Sequence, residues 1–225
     1  MDIASLIIEY KWILEICYAL IISSICMIIV IKTDKFFKLS MHQGIRYFRN
    51  AFFFYGIAFV GRYVFGLFSD MNWQSALVIG FLFEYFLIMA GFFLLYSLIY
   101  KKIESPKEQH LTSLMNSKVI VFHIMAIILA VLDQIFKSYS FMFFSQMIIF
   151  AFASYIAYKN FKKNSKKEFP KFYFIATIIG FVAWSLNCAV ALYLHWNQGI
   201  LINIGMMNIV FFLLFLYGVL KVTQK

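Results

Sequence analysis

Seven apolar runs of about 20 residues follow one another along this chain, and they leave few folds open. A run of that length crosses a hydrocarbon core roughly 30 Å thick as an α-helix. Inside lipid every backbone N–H and C=O must bond within the protein, so only helices and closed barrels can span. These runs are too long for barrel strands and lack the alternation of apolar and polar residues that barrels carry. The expected fold is therefore all-α: one domain over residues 1–225, a polytopic bundle of seven transmembrane helices. The spans are predicted at about 10–32, 44–69, 75–100, 117–136, 139–159, 170–194 and 200–221. Composition agrees. Only 13% of residues are charged, about half the share usual in a soluble domain.

The distribution of Lys and Arg predicts orientation. Seventeen of the 20 fall in the connections near 33–43, 101–116 and 160–169, at the span ends beside them, or in the tail after Leu220. Lys11 and Lys137 fall on the other side, and Arg62 falls inside a span. By the positive-inside rule the N-terminus lies outside and the C-terminus in the cytoplasm, as an odd number of spans requires. The expected location is the cell membrane, multi-pass. The net charge of +10 then faces the anionic inner leaflet, where each basic residue near the surface gains about 1 kcal/mol. A lipid bilayer is the expected partner, and nucleic acid is not. Arg46 and Arg49, beside Tyr47 and Phe48, are expected to contact inner-leaflet headgroups. An anionic ligand site there is the alternative. The start, Met1-Asp2-Ile3-Ala4, lacks the basic region of a cleaved signal peptide.

Polar residues inside the spans are the candidate functional residues. Arg62 and Glu84 each lie 11 residues from a turn centred near Trp73. In an antiparallel helical hairpin both would sit about 16 Å from that turn, near mid-membrane. A lone charge at that depth is costly, so such residues pair and face the interior. Small residues share their faces: Tyr55, Ala58, Arg62 and Gly66 on one span, and Gly80, Glu84, Leu87 and Gly91 on the next. Asn187 and Asn208 stand at equal distances from the turn at Asn197–Gln198. Glu15, His123, Asp133 and Gln146 complete an expected polar zone running from mid-membrane outward. Each has a plainer reading. Buried amides often just bridge helices, at roughly 0.6 kcal/mol each, and an Arg–Glu pair can fix helix register.

Catalytic and cofactor chemistry find little support. There is no Gly-x-Ser nucleophile. The four histidines are scattered over both sides and one span, so no metal or haem site converges by simple spacing. The last span has no lysine for a retinal Schiff base. Cys17, Cys26 and Cys188 all lie in apolar runs, as inert free thiols do. No enzyme activity, metal or cofactor is expected.

The string Gly44-Ile45-Arg46-Tyr47-Phe48-Arg49-Asn50-Ala51-Phe52 resembles one found in uncharacterised archaeal seven-helix membrane proteins. In topology alone the chain is similar to 3+1+3 transporters and to opsin-like proteins. These resemblances imply a seven-helix bundle and carry no site residues over. Two functions stay open. The first is a protein that moves or binds a small polar or ionic solute through the zone centred on Arg62 and Glu84. The second is a sensor- or receptor-like subunit that signals to a separate partner.

Overall fold

A computed structural model describes residues 11–62, 73–100, 116–136, 138–163, 168–193 and 198–223. Seven helices lie among them: α1 (Lys11–Ser40), α2 (Gln43–Val60), α3 (Trp73–Ile99), α4 (Ser117–Phe136), α5 (Ser140–Lys163), α6 (Glu168–Tyr193) and α7 (Gln198–Thr223). Six of them, α1 and α3 to α7, are long and apolar enough to cross a membrane. Together they mark a multi-pass membrane protein. The described part of α2 is 18 residues long and opens with Arg46 and Arg49.

The expected spans and the helices agree to within a few residues, with one exception, and the end of the span expected at 44–69, with Gly66, lies outside the described residues. The connection expected over 33–43 is helical up to Ser40. No Gly or Pro interrupts it. Asp34 and Lys38 pair one turn apart at 3.1 Å, and Thr33 and Phe37 are buried against the bundle. The turn shrinks to two residues, with Met41 at a positive φ of 51°. His42 then caps α2, its Nδ1 accepting from the Gly44 N–H at 3.1 Å. Gly44 itself is dictated by close approach: a Cβ there would lie 2.9 Å from the Tyr100 carbonyl oxygen.

The helices pack in sequence order. α1 lies against α2, α2 against α3, α5 against α6, α6 against α7, and α7 returns to α1. α3 meets α5 directly, closing a ring of six, and α4 packs on α3 and α5. One face of α4 is buried, at Val119, Ala126, Ala130 and Asp133. Its other faces present Ile124, Ile128, Val131 and Ile135 outward, as a lipid-facing helix does.

Aromatic rings fill one half of the ring. Phe52 of α2 meets Phe215 of α7 at 5.2 Å, Tyr55 meets Phe212 at 5.4 Å, and Tyr173 of α6 meets Phe215 at 5.0 Å. All are edge-to-face, a geometry that adds roughly 0.5–1.5 kcal/mol per pair beyond burial. Glycine lets the neighbouring helices close on one another. A Cβ at Gly180 of α6 would lie 2.6 Å from the Phe150 ring of α5 and 2.9 Å from Phe211 of α7. At Gly61 it would meet nothing within 4 Å. Gly180→Ala should therefore lower the thermal unfolding midpoint in detergent, since overpacking costs about 1–3 kcal/mol. Gly61→Ala should leave it unchanged or raise it slightly. Equal midpoints for wild type and Gly180→Ala would contradict this packing.

Candidate functional site at the α2–α5 junction

The stripe of α3 that carries Gly80, Glu84, Leu87 and Gly91 turns into the bundle. A helix places residues three and four apart on one face, and Glu84 on this one is 0% exposed. Its Oε1 accepts from Gln134 Nε2 of α4 at 2.9 Å. Its Oε2 is buried and has no hydrogen-bond partner among the described residues. A Cβ at Gly80 would lie 3.3 Å from the same Gln134 nitrogen, so glycine leaves the amide its path to Glu84. Two charges act on the carboxylate: Asp133 repels it and Arg62 attracts it.

Arg62 follows Gly61 in a wider, π-type turn at the end of α2. Such turns recur at functional positions in helices. The guanidinium lies over the Phe83 ring at 4.5 Å and near the Tyr139 ring at 5.4 Å. The Arg62 guanidinium over Phe83 thus sits on the residue next to Glu84, whose carboxylate it attracts. The helices that carry them are neighbours.

Asp133 has a well-defined local task. Its Oδ1 accepts from the Phe141 N–H at 2.9 Å and from Ser138 Oγ at 3.2 Å, and its Oδ2 accepts from the Met142 N–H at 2.7 Å. The last turn of α4 thus caps the first turn of α5, whose leading N–H groups have no partner inside the helix. Gln146 sits one turn further into α5. It is fully buried, and its Nε2 donates to the Leu87 carbonyl of α3 at 3.1 Å. A Cβ at Gly91 would lie 2.7 Å from its Oε1. That oxygen is also buried without a hydrogen-bond partner.

The other candidates form separate small groups. His123 of α4 shares a hydrogen bond of 2.7 Å with the Tyr85 hydroxyl, and the two rings stack. Asn208 of α7 donates to the Tyr18 hydroxyl of α1 at 3.1 Å, and Glu15 is half-buried one turn before Tyr18. Asn187 donates to the Ala183 carbonyl of its own helix at 3.0 Å. The zone expected to run through the whole bundle is thus divided. One cluster holds Arg62, Glu84, Asp133 and Gln146. His123 meets Tyr85 elsewhere on the α3–α4 pair, Asn208 joins α7 to α1, and Asn187 bonds within α6.

Of the two arginines expected at lipid headgroups, Arg46 is buried and Arg49 stays partly exposed beside Asp34. Arg46 is 3% exposed, turned into the bundle, with its guanidinium 5.5 Å from the Phe37 ring. Arg49 pairs with Asp34 and also donates to Asn50 Oδ1 at 3.2 Å. The reason is the longer α1, which brings Asp34 and Phe37 alongside them. Gln134, Tyr85, Tyr18 and Tyr139 are site residues the sequence reasoning passed over. Gln134 was within reach as a second polar residue beside Asp133. The tyrosines had no signal, because 14 of them are spread through the chain.

Among the described residues, no three His, Cys, Asp or Glu side chains gather as a metal site. No known family model, curated protein or solved structure matches the chain. The cap makes a direct prediction. Asp133→Ala should destabilise the protein by about 0.5–2 kcal/mol, the usual range for a lost helix cap. Asp133→Asn, which keeps an acceptor oxygen, should recover part of that. Thermal unfolding of the three proteins in one detergent checks the order.

Proposed function

We propose that this multi-pass membrane protein binds and moves a small polar or ionic solute at the Glu84 cluster. The observation that carries the reading is the Glu84 carboxylate. It is fully buried in a spanning helix, held through one oxygen by Gln134, with the other oxygen unmatched. An ionisable group at such depth marks a pathway or ligand site by default, and an unmatched buried acceptor costs about 1–3 kcal/mol. A solute bearing a hydrogen-bond donor or a positive charge would regain that energy at Oε2. The unmatched Oε1 of Gln146, one turn along the α3–α5 seam, offers a second acceptor. Arg62 supplies the opposing charge at the outer mouth.

The orientation that goes with this reading puts the N-terminus outside and the C-terminus in the cytoplasm, with α2 as the seventh crossing in the cell membrane. The Glu84 cluster then lies between mid-membrane and the outer surface. A reporter fused after Lys225 should be protected from external protease in intact cells, and one fused before Met1 should be cleaved. The opposite pattern would invert the scheme.

A sensor-like role is the second reading. The aromatic packing of Phe52, Tyr55, Phe212 and Phe215 favours it, because it fills the bundle on the basic side of the cluster. A ligand could then bind from outside without passing through. The test uses proteoliposomes containing the full chain and a panel of small cations, amines and polyols. Transport predicts uptake of at least one solute, abolished by Glu84→Gln and reduced at least tenfold by Arg62→Ala. Sensing predicts that a solute raises the unfolding midpoint of wild type but not of Glu84→Gln, with no uptake. Uptake untouched by both substitutions would remove the cluster from the pathway.

A further inference from the structure

A lateral cavity of about 440 Å³ opens between α1, α2 and α3, and Glu84 is not among the residues that line it. Its volume falls within the roughly 300–1,000 Å³ of ligand-binding clefts. Its walls are apolar and include Met27 and Val30 of α1, Phe53 and Gly56 of α2, and Leu82 and Phe86 of α3. It faces outward, since Met27 is 60% and Phe53 52% exposed. In a membrane that face meets lipid. Gly56 and Gly61 of α2 keep the groove open: a Cβ at Gly61 would meet no atom within 4 Å.

A second, independent feature lies at the basic end of the same seam. On α1 the groove stripe Ser23, Met27, Val30 continues at helical spacing to Asp34 and Lys38. On α2 the stripe Gly56, Phe53 leads back one turn to Arg49. Asp34 pairs with both Lys38 and Arg49. One carboxylate set against Lys38 and Arg49 leaves the spot with a net positive charge. From Ser23 to Lys38 is about 15 residues, or roughly 22 Å of helix. That matches half of a bilayer about 40–45 Å thick including its headgroups.

We infer that the α1–α2 seam holds one anionic phospholipid, its acyl chain in the α1–α2–α3 groove and its headgroup at Lys38 and Arg49. The lipid comes from the leaflet on the basic face of the protein. An apolar slot at chain depth and a positive cluster at headgroup depth, in register on the same two helices, suit a molecule with both parts. The groove meets the Glu84 cluster only at Phe83 and Gly61 and is not lined by Glu84 itself, and lipid retention and solute uptake are read separately, so the two readings fail separately.

Native mass spectrometry of the full-length protein, released from mixed micelles holding phosphatidylglycerol and phosphatidylcholine with identical chains, tests the site. Phosphatidylglycerol should be retained over phosphatidylcholine by roughly fivefold for each basic residue engaged. Gly61→Phe, which fills the groove, should lower retention of both lipids. Lys38→Gln with Arg49→Gln should erase the preference for phosphatidylglycerol while some lipid is still held. Equal retention of the two lipids by wild type would overturn the proposal, as would retention unaffected by Gly61→Phe. Displacement of phosphatidylglycerol by inorganic phosphate alone would also overturn it, by making the acyl groove irrelevant. A two-chain species that disappears in Gly61→Phe would do the same, by seating a second copy there. Helical content measured by circular dichroism should be the same for all variants.

Discussion

A carboxylate cannot stand against lipid tails, and the rotation of α3 about its own axis follows from that. Glu84 must point inward. Once it does, the residues three, four and seven positions away point inward with it. Gly80 and Gly91 are the two small ones, and they make room for Gln134 and Gln146. One residue thus sets where α4 and α5 can approach. The two incoming amides then partly satisfy the polar groups that α3 buries.

The same constraint explains why polar contacts gather at helix junctions. Asp133 meets the N–H groups that the start of α5 must expose. Asp34 joins α1 to α2 through Arg49. Each hydrogen bond of this kind is worth only a fraction of a kcal/mol to about 2 kcal/mol inside a membrane. Between these points the contact is apolar and aromatic, with Phe and Tyr rings of α2, α6 and α7 interlocked edge to face. Packing gives the bundle its cohesion, and the sparse polar contacts fix how the helices are turned.

Two regions escape dense packing, and they differ in kind. At Glu84 the gap is electrostatic: an acceptor inside the protein with no donor opposite it. Between α1, α2 and α3 the gap is steric: glycines leave an apolar groove on the outer face. The first suits a small polar solute. The second suits an acyl chain, and the basic residues at its end give it a sign.

The sequence by itself determined that the chain is helical and apolar in long stretches, because backbone satisfaction in lipid admits no other structure for runs of this length. It also determined which faces turn inward, because a 3.6-residue period fixes the neighbours of every buried charge. Glu84, Leu87, Ala126, Ala130 and Asp133 are buried as that period requires. Only the tertiary structure decided the partners. Equal depth in a hairpin brought Arg62 near Glu84 but could not say that the guanidinium would lie over Phe83 and that Gln134 would take the carboxylate. Nor could local pattern show that eight residues beyond Lys32 would stay helical, bring Phe37 against Arg46 and pair Asp34 with Arg49. Such outcomes depend on which helices become neighbours, and that is settled by the fit of side chains across interfaces far apart in the chain.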